Sequence, residues 1–336
     1  MVGAMVMSLI LAPGIITAAT PFYKGKAVRI VVGTTPGGGY DTYARIISRH
    51  MGKHIEGNPA IIVENMPGAA SLVSANYLYK VAKPDGLTIV SFYGYPILAQ
   101  VFGQEGVECD SRKFEYIGAP AMDTVACLLS KSLGITSVEA WMASKTPIKL
   151  GGITTGSYAT DNSARIAKAV LGLPIHLVTG YQGSAEIRLA VESGELGGTF
   201  LGWESARTTW RKAVESGNMH IVLQACPKPM FDLPNVPLMI NYAKTDEARR
   251  IIQMGLHDCA LFARPYALPP GSPQERVQLL RKALRDTLMD KELLAEAEKA
   301  KLEINPVSAE ELAKTIDSLF KLDPVLLAKV KDIMYK

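Results

Sequence analysis

Little in this chain suits redox, metal or nucleophilic chemistry. Among 336 residues there are four Cys, at 109, 127, 226 and 259, and five His. No two cysteines stand at Cys-x-x-Cys spacing, so zinc-ribbon and dithiol signatures are lacking. His50 and His54 are four apart, but no Glu follows His50 as a His-Glu-x-x-His zinc site requires; the pair reads as polar decoration on an amphipathic helix. A Gly-x-Ser-x-Gly nucleophile elbow is missing too. With a net charge of +4 and scattered Lys and Arg, nothing points to nucleic acid as partner. Internal repeats and low-complexity tracts are not evident. No metal or cofactor is expected, and a hydrolase or transferase is the weaker alternative to a binding protein. What is present, 48% hydrophobic and 20% charged residues, describes a globular chain of one or two domains with a large core.

Residues 1–19 carry no charge, hold an apolar stretch broken by Pro13-Gly14, and end in small residues. They read as an export signal with cleavage near Thr20, although a basic residue ahead of the apolar run is missing. The alternative is an uncleaved N-terminal anchor.

The most informative stretch is Val28 to Arg45. A β-branched run, Val28 to Val32, gives way to Pro36-Gly37-Gly38-Gly39, and then to a helical pattern with Asp41 in its first turn and Ile46, Ile47 and Met51 on one face. Strand, glycine turn and helix in that order aim backbone N–H groups at whatever lies above the helix N-terminus. Glycines let a ligand approach the main chain, and the helix end favours a carboxylate or other small anion. A purely structural turn is the other reading. Walker and dinucleotide spacings are both absent, which disfavours a nucleotide. A second unit follows: strand Ala60 to Val63, a loop over Glu64 to Ser71, and a helix through Ala75, Leu78 and Tyr79. Lys83-Pro-Asp-Gly86 then turns into a strand, Leu87 to Phe92, and alternation of β and α predicts a parallel sheet. Tyr93 and Tyr95 suit either core packing or a ligand surface.

Four motifs, Tyr23-x-Gly-Lys-x-Val-Arg-Ile-Val-Val, Pro36-Gly-Gly-Gly-x-Asp41-x-x-Ala-Arg45, Val63-x-Asn65-x-Pro67-Gly68-Ala69-x-Ser71 and Lys83-Pro-Asp85-Gly86, resemble the solute receptors of tripartite tricarboxylate transporters, the Bug family of periplasmic binding proteins. Gly180-Tyr181-x-Gly183-Ser184, Ser193-Gly194-Glu195-Leu196-x-Gly198 and Ala263-Arg-Pro-x-Ala-Leu-Pro-Pro-Gly-Ser-Pro273 extend the resemblance over nearly all of residues 20–336. It implies an α/β, type II periplasmic binding protein fold: two α/β lobes with a ligand cleft between them. The first lobe would comprise 20–124 and 223–336, the second 125–222. It also implies a monomer in the periplasm that passes a small organic carboxylate to membrane permease subunits. A sensor subunit serving a signalling kinase would carry the same sequence.

In the second lobe, Ile148 to Gly151 reads as a strand, Thr154-Thr155-Gly156-Ser157 as a hydroxyl-rich glycine loop, and Ala164 to Val170 as a helix face. The resemblance implies that this loop and Pro36–Gly39 grip the ligand from opposite lobes, so that no single basic side chain is indispensable; without it, helix capping explains the hydroxyls. Tyr181, Gly183 and Ser184 lie at another strand-to-helix turn, and Ala70 and Ser71 at the second one. Trp203 either flanks the cleft or fills the lobe core. Family members carry Asp where this chain has Ala190, and Gly where it has Ala70. The first departure favours a plain carboxylate over an amino acid. Toward the C-terminus, Cys259 to Ala263 reads as a strand, and Ser272-x-x-Glu275 and Ser308-x-x-Glu311 as capping boxes opening long helices. The crossover strands implied by the resemblance bring Cys127 near Cys226; either these pair or all four thiols are buried and free.

Overall fold

The computed structural model describes residues 20–336 except 38, 154 and 182, and excludes the side chains of 208 and 209. The expected export signal and the site candidates Gly38 and Thr154 therefore lie outside the described residues. The chain opens as β1 (Ala27–Val32), α1 (Gly39–Met51), β2 (Ala60–Asn65), α2 (Leu72–Lys80), β3 (Thr88–Ser91), α3 (Tyr95–Val101) and β4 (Glu115–Gly118). It continues as β5 (Val125–Ser130), α4 (Val138–Met142), β6 (Ile148–Gly151), α5 (Ser163–Leu171), β7 (Ile175–Val178), α6 (Ser184–Glu192), β8 (Gly198–Gly202), α7 (Trp203–Thr209), α8 (Arg211–Glu215) and β9 (Met219–Gln224). The remainder is α9 (Asp246–Ile252), α10 (Cys259–Leu261), β10 (Tyr266–Leu268), α11 (Gln274–Leu288), α12 (Lys291–Lys299), α13 (Ala309–Leu319) and α14 (Pro324–Tyr335).

Two five-stranded sheets result, ordered β2-β1-β3-β10-β4 and β7-β6-β8-β5-β9. In each, four strands run in one direction and the inserted one, β10 or β5, runs antiparallel to both neighbours. Alternation along the strands sets the layers. Val28, Ile30 and Val32 face one apolar cluster with Ile46, Ile47 and Met51 of α1, while Val31 faces another. In β5, Cys127 and Leu129 join that other cluster, which runs from the first sheet to the second, and Ala126 and Leu128 face a third under α6 and α7. A period of two in strands and of 3.6 in α1 thus buries both faces of the central strands, while β2 at the edge of the first sheet keeps one face exposed.

Residues after β9 do not serve the first sheet alone. Strand β10 lies in it and α11 packs on it, but α9 and α14 pack against α5 of the second lobe. The expected strand Cys259–Ala263 is instead helical over Cys259–Leu261 and turns at 262–263, closing a run that passes through a π-helical turn at Gln253–Asp258. Met254, Leu256, Cys259, Ala260 and Phe262 are all buried, and a short apolar run buried on every side has no period to separate strand from helix. Ser308 caps α13 by accepting from Glu311 N–H at 3.1 Å. Ser272 does not cap α11; its hydroxyl donates to Pro269 O at 2.8 Å, and the helix begins after Pro273. All four cysteines are buried and free. Cys127 and Cys226 cannot meet because they sit in clusters on opposite faces of the second sheet.

Candidate functional site

Register aligns the loops that matter. Val32 ends β1 beside Asn65 of β2 and Ser91 of β3, so the loops opening α1, α2 and α3 share the carboxyl edge of the first sheet. Gly151 pairs with Val178 and Leu150 with Gly198, which puts the loops after β6, β7 and β8 on the corresponding edge of the second. Open α/β sheets bind ligands at that edge.

On the first edge, Pro36, Gly37 and Gly39 are exposed. Gly37 takes φ +82°, a conformation that favours glycine. Its N–H donates to Asp41 Oδ2 at 2.8 Å, and the same oxygen accepts from Arg45 Nε at 2.8 Å. Asp41 Oδ1 accepts from Asn65 Nδ2 at 2.9 Å, and Nδ2 also donates to Thr34 O at 3.0 Å. Asp41 therefore organises the turn from inside, with its side chain 3% exposed, and neither its carboxylate nor the Gly37 N–H is left for a ligand. Burial alone would raise its pKa, but the bonds from Arg45, Gly37 and Asn65 outweigh burial and hold it below the ordinary carboxylate value.

Ser71 is likewise a structural tie. It is fully buried; its hydroxyl donates to Gly33 O at 2.9 Å and accepts from Tyr93 N–H at 3.1 Å, joining all three loops of the edge. Ala69, Ala70 and Ser71 have φ of 45°, 50° and 72°. Three consecutive non-glycine residues in the left-handed region cost about 1–2 kcal/mol each. Ala69 and Ala70 are exposed, so what this strained turn offers a ligand is its main chain.

The second edge repeats the device. Asp161, fully buried, accepts from Ile153 N–H at 2.8 Å and from the Thr160 hydroxyl at 2.6 Å. Since Thr160 gives its proton to Asp161, Ser157 must be the donor in the 2.8 Å contact between the Ser157 and Thr160 hydroxyls. Ser157 thus keeps lone pairs, not a proton, for any further contact. Thr155 is exposed; Gly156 has φ +88° and faces the ring of Tyr335, whose edge would lie 3.4 Å from a Cβ built there. The Tyr181 hydroxyl donates to Glu195 at 2.7 Å, a bond that with burial pushes its pKa up to about 12. Gly183 has open space where a Cβ would stand, and Ser184 starts α6 while its carbonyl accepts from Trp210 Nε1 at 3.2 Å. Trp203 is 4% exposed, packed in the apolar cluster of the second lobe, and its Nε1 donates to Asp232 at 2.8 Å.

Glu204 and Arg264, to which the sequence assigned no role, join the two edges. Glu204, opening α7, accepts from the Tyr43 hydroxyl and, at 3.0 Å, from Glu303 N–H. Arg264, just ahead of β10, donates through Nε to Asp123 at 2.7 Å and through Nη2 to Glu204 at 3.2 Å. Its guanidinium lies 4.8 Å and 5.0 Å from the ring centroids of Tyr40 and Tyr43. Burial would lower its pKa, but Asp123, Tyr40, Glu204 and Tyr43 outweigh it and keep the charge. A signal for Asp161 did exist, since each glycine loop is followed by Asp in the first helical turn. Arg264, about 220 residues from α1 in sequence, had none.

His50 and His54 face α12, at 2.8 Å from Glu296 and 2.9 Å from Asp290. His50, Asp290 and Glu292 come close enough together to suit a cation, but Lys53 Nζ lies 2.6 Å from both carboxylates. A depression of 830 Å³ bounded by Lys131, Glu192, Lys212 and Asn218 opens on the second lobe and shares no residue with these loops. No helix among the described residues is long and apolar enough to cross a membrane.

Two α/β lobes with antiparallel insertions and loops converging at their carboxyl edges define the fold of the two-lobed solute-binding proteins. Among solved structures, the chain matches a TctC solute binding protein from Polaromonas with a TM-score of 0.69 at 15% identity, over 93% of this chain and 98% of that one. It matches MatC of Rhodopseudomonas palustris, solved with bound malate, at 0.64 and 18% identity, over 92% and 99%. A stretch of 95 residues is 30% identical to a UPF0065 protein of Bordetella bronchiseptica, and covers 28% of that relative's length and 27% of this chain. No family model matches the chain.

Proposed function

We propose that this chain is an exported, monomeric solute receptor that captures a small organic carboxylate and delivers it to the permease subunits of a tripartite tricarboxylate-type transporter. Residues 1–19 would direct it to the periplasm. Residues 20–124 and 223–336 would form the first lobe, with α9 and α14 reaching across to the second, 125–222. The observation that carries this reading is the repeated device. In both lobes a main-chain N–H of the glycine loop at a sheet's carboxyl edge is tied to a buried Asp from the helical turn that follows, Gly37 to Asp41 and Ile153 to Asp161. Fixed main-chain donors at a helix N-terminus suit a carboxylate. In this reading Pro36, Gly38, Gly39 and the turn at Ala70 hold the ligand from the first lobe, and Thr154 to Ser157 with Gly183 and Ser184 from the second. Ser157, as an acceptor, would meet a ligand hydroxyl. MatC, of the same fold, is solved with malate, a hydroxy acid. Contacts made only when the lobes close would drive closure.

The test is mass spectrometry of whatever co-purifies with protein taken from the native periplasm. One organic acid per chain, released unchanged on unfolding, is expected. A bound nucleotide, or an acid converted to product on incubation, would overturn the proposal.

A further inference from the structure

We propose that Arg264 is a ligand-binding residue, whose Nη1–H donates to one carboxylate oxygen of the bound acid at the N-terminus of α1. This rests on the carboxylate-receptor reading and adds to it a basic side chain outside both glycine loops.

Of the three guanidinium nitrogens, Nε reaches Asp123 and Nη2 reaches Glu204. Nη1 is shielded from water and has no hydrogen-bond acceptor among the described residues. Buried donors are normally satisfied, and one attached to a charged group is costly to leave bare. Its position says what could satisfy it: a Cβ built on Gly39, the first residue of α1, would stand 3.5 Å from Nη1. The nitrogen therefore lies beside the first residue, and so the positive end, of a 13-residue helix. A guanidinium nitrogen and a helix N-terminus held this close repel unless an anion lies between them. Nor is the guanidinium free to turn away. The two carboxylates fix one side of its plane and the Tyr40 and Tyr43 rings flank it, so the third nitrogen is pre-aimed, a geometry an ammonium group could not reproduce. Because Asp123 and Glu204 already balance the charge of Arg264, its contribution is one directed bond, added to those of the main chain.

Malate, succinate and citrate, each paired with its monoamides, are titrated by calorimetry into wild type and Arg264→Gln, with circular dichroism to check folding. Arg264→Lys, which keeps the cation beside Asp123, serves if the glutamine variant does not fold. Losing one hydrogen bond to a charged group weakens the acid by about ten-fold to about a hundred-fold. The preference for the acid over the monoamide lacking the contacted carboxylate should collapse toward one, which a merely structural role would not cause. A folded variant that binds the acid like wild type, or that loses acid and monoamides equally, overturns the inference and leaves the receptor reading standing. Wild type that binds none of the three acids overturns both.

Discussion

Replacing Asp41 by Asn tests whether the first glycine turn is held from inside. The amide nearly matches the carboxylate in shape, so what changes is charge and one acceptor. If the new NH₂ takes the place of Oδ2, it confronts two donors, Gly37 N–H and Arg45 Nε. If it takes the place of Oδ1 it confronts one, Asn65 Nδ2, which keeps its second bond to Thr34 O. The second placement is cheaper. It forfeits the bond from Asn65, makes the bond from Gly37 N–H neutral, and leaves the Arg45 bond with charge on the donor alone; bonds to charged groups are worth roughly 1.5–3 kcal/mol against about 1 for neutral ones. The expected loss of stability is about 2 kcal/mol near neutral pH, measured by urea unfolding followed through tryptophan fluorescence. The pH dependence supplies a second reading. The folded pKa of Asp41 lies below its ordinary 3.8, so its contribution is fully present above that value and is lost as pH falls through the folded one. The gap between wild type and Asp41→Asn should therefore narrow below the ordinary value. A variant within about 0.5 kcal/mol of wild type, or a gap that stays constant as acid is added, would refute the reasoning.

Two further outcomes follow from the same geometry. Ala70→Gly removes a Cβ from a left-handed position at φ 50° and should stabilise the folded chain by up to about 1 kcal/mol, the relief being offset in part by added freedom when unfolded; a shift of the urea midpoint to lower concentration would contradict it. The thiols should react slowly with Ellman's reagent while folded, since burial pushes Cys109 up to about 11 and Cys226 up to about 12 and raises Cys127 and Cys259 well above the ordinary value. Denatured, unreduced protein should release four equivalents, and a count of two would show a disulfide.

What could be read from sequence, and what could not, divides along sequence distance. The strand–glycine turn–helix unit at 27–51 is local: β-branched residues, then glycines, then apolar residues at helical spacing, and each step carries its own period. The Ser308 cap is local too. Asp41 was visible as a residue of the motif but not in its role, because whether a carboxylate faces the ligand or its own turn depends on Asn65, 24 positions away. Ser157 was visible as part of a hydroxyl-rich loop, but its role as an acceptor depends on Thr160 and Asp161, which account for its proton. Trp203 and the run at 259–263 could not be decided, since burial on all sides leaves no pattern to read. Arg264 depends on Asp123 and Glu204, 141 and 60 positions away, contacts that only the assembled sheets create.

The central claim, that the chain is a stoichiometric receptor for a small organic carboxylate, is tested most directly by calorimetric titration of ligand-stripped protein with a panel of small mono-, di- and tricarboxylates that includes malate, followed by analysis of the recovered acid. The account predicts saturable uptake of one acid per chain, lost when both of its carboxylates are amidated, with the acid recovered unchanged. Failure of every acid in the panel to bind, or equal binding of the amidated form, would contradict it.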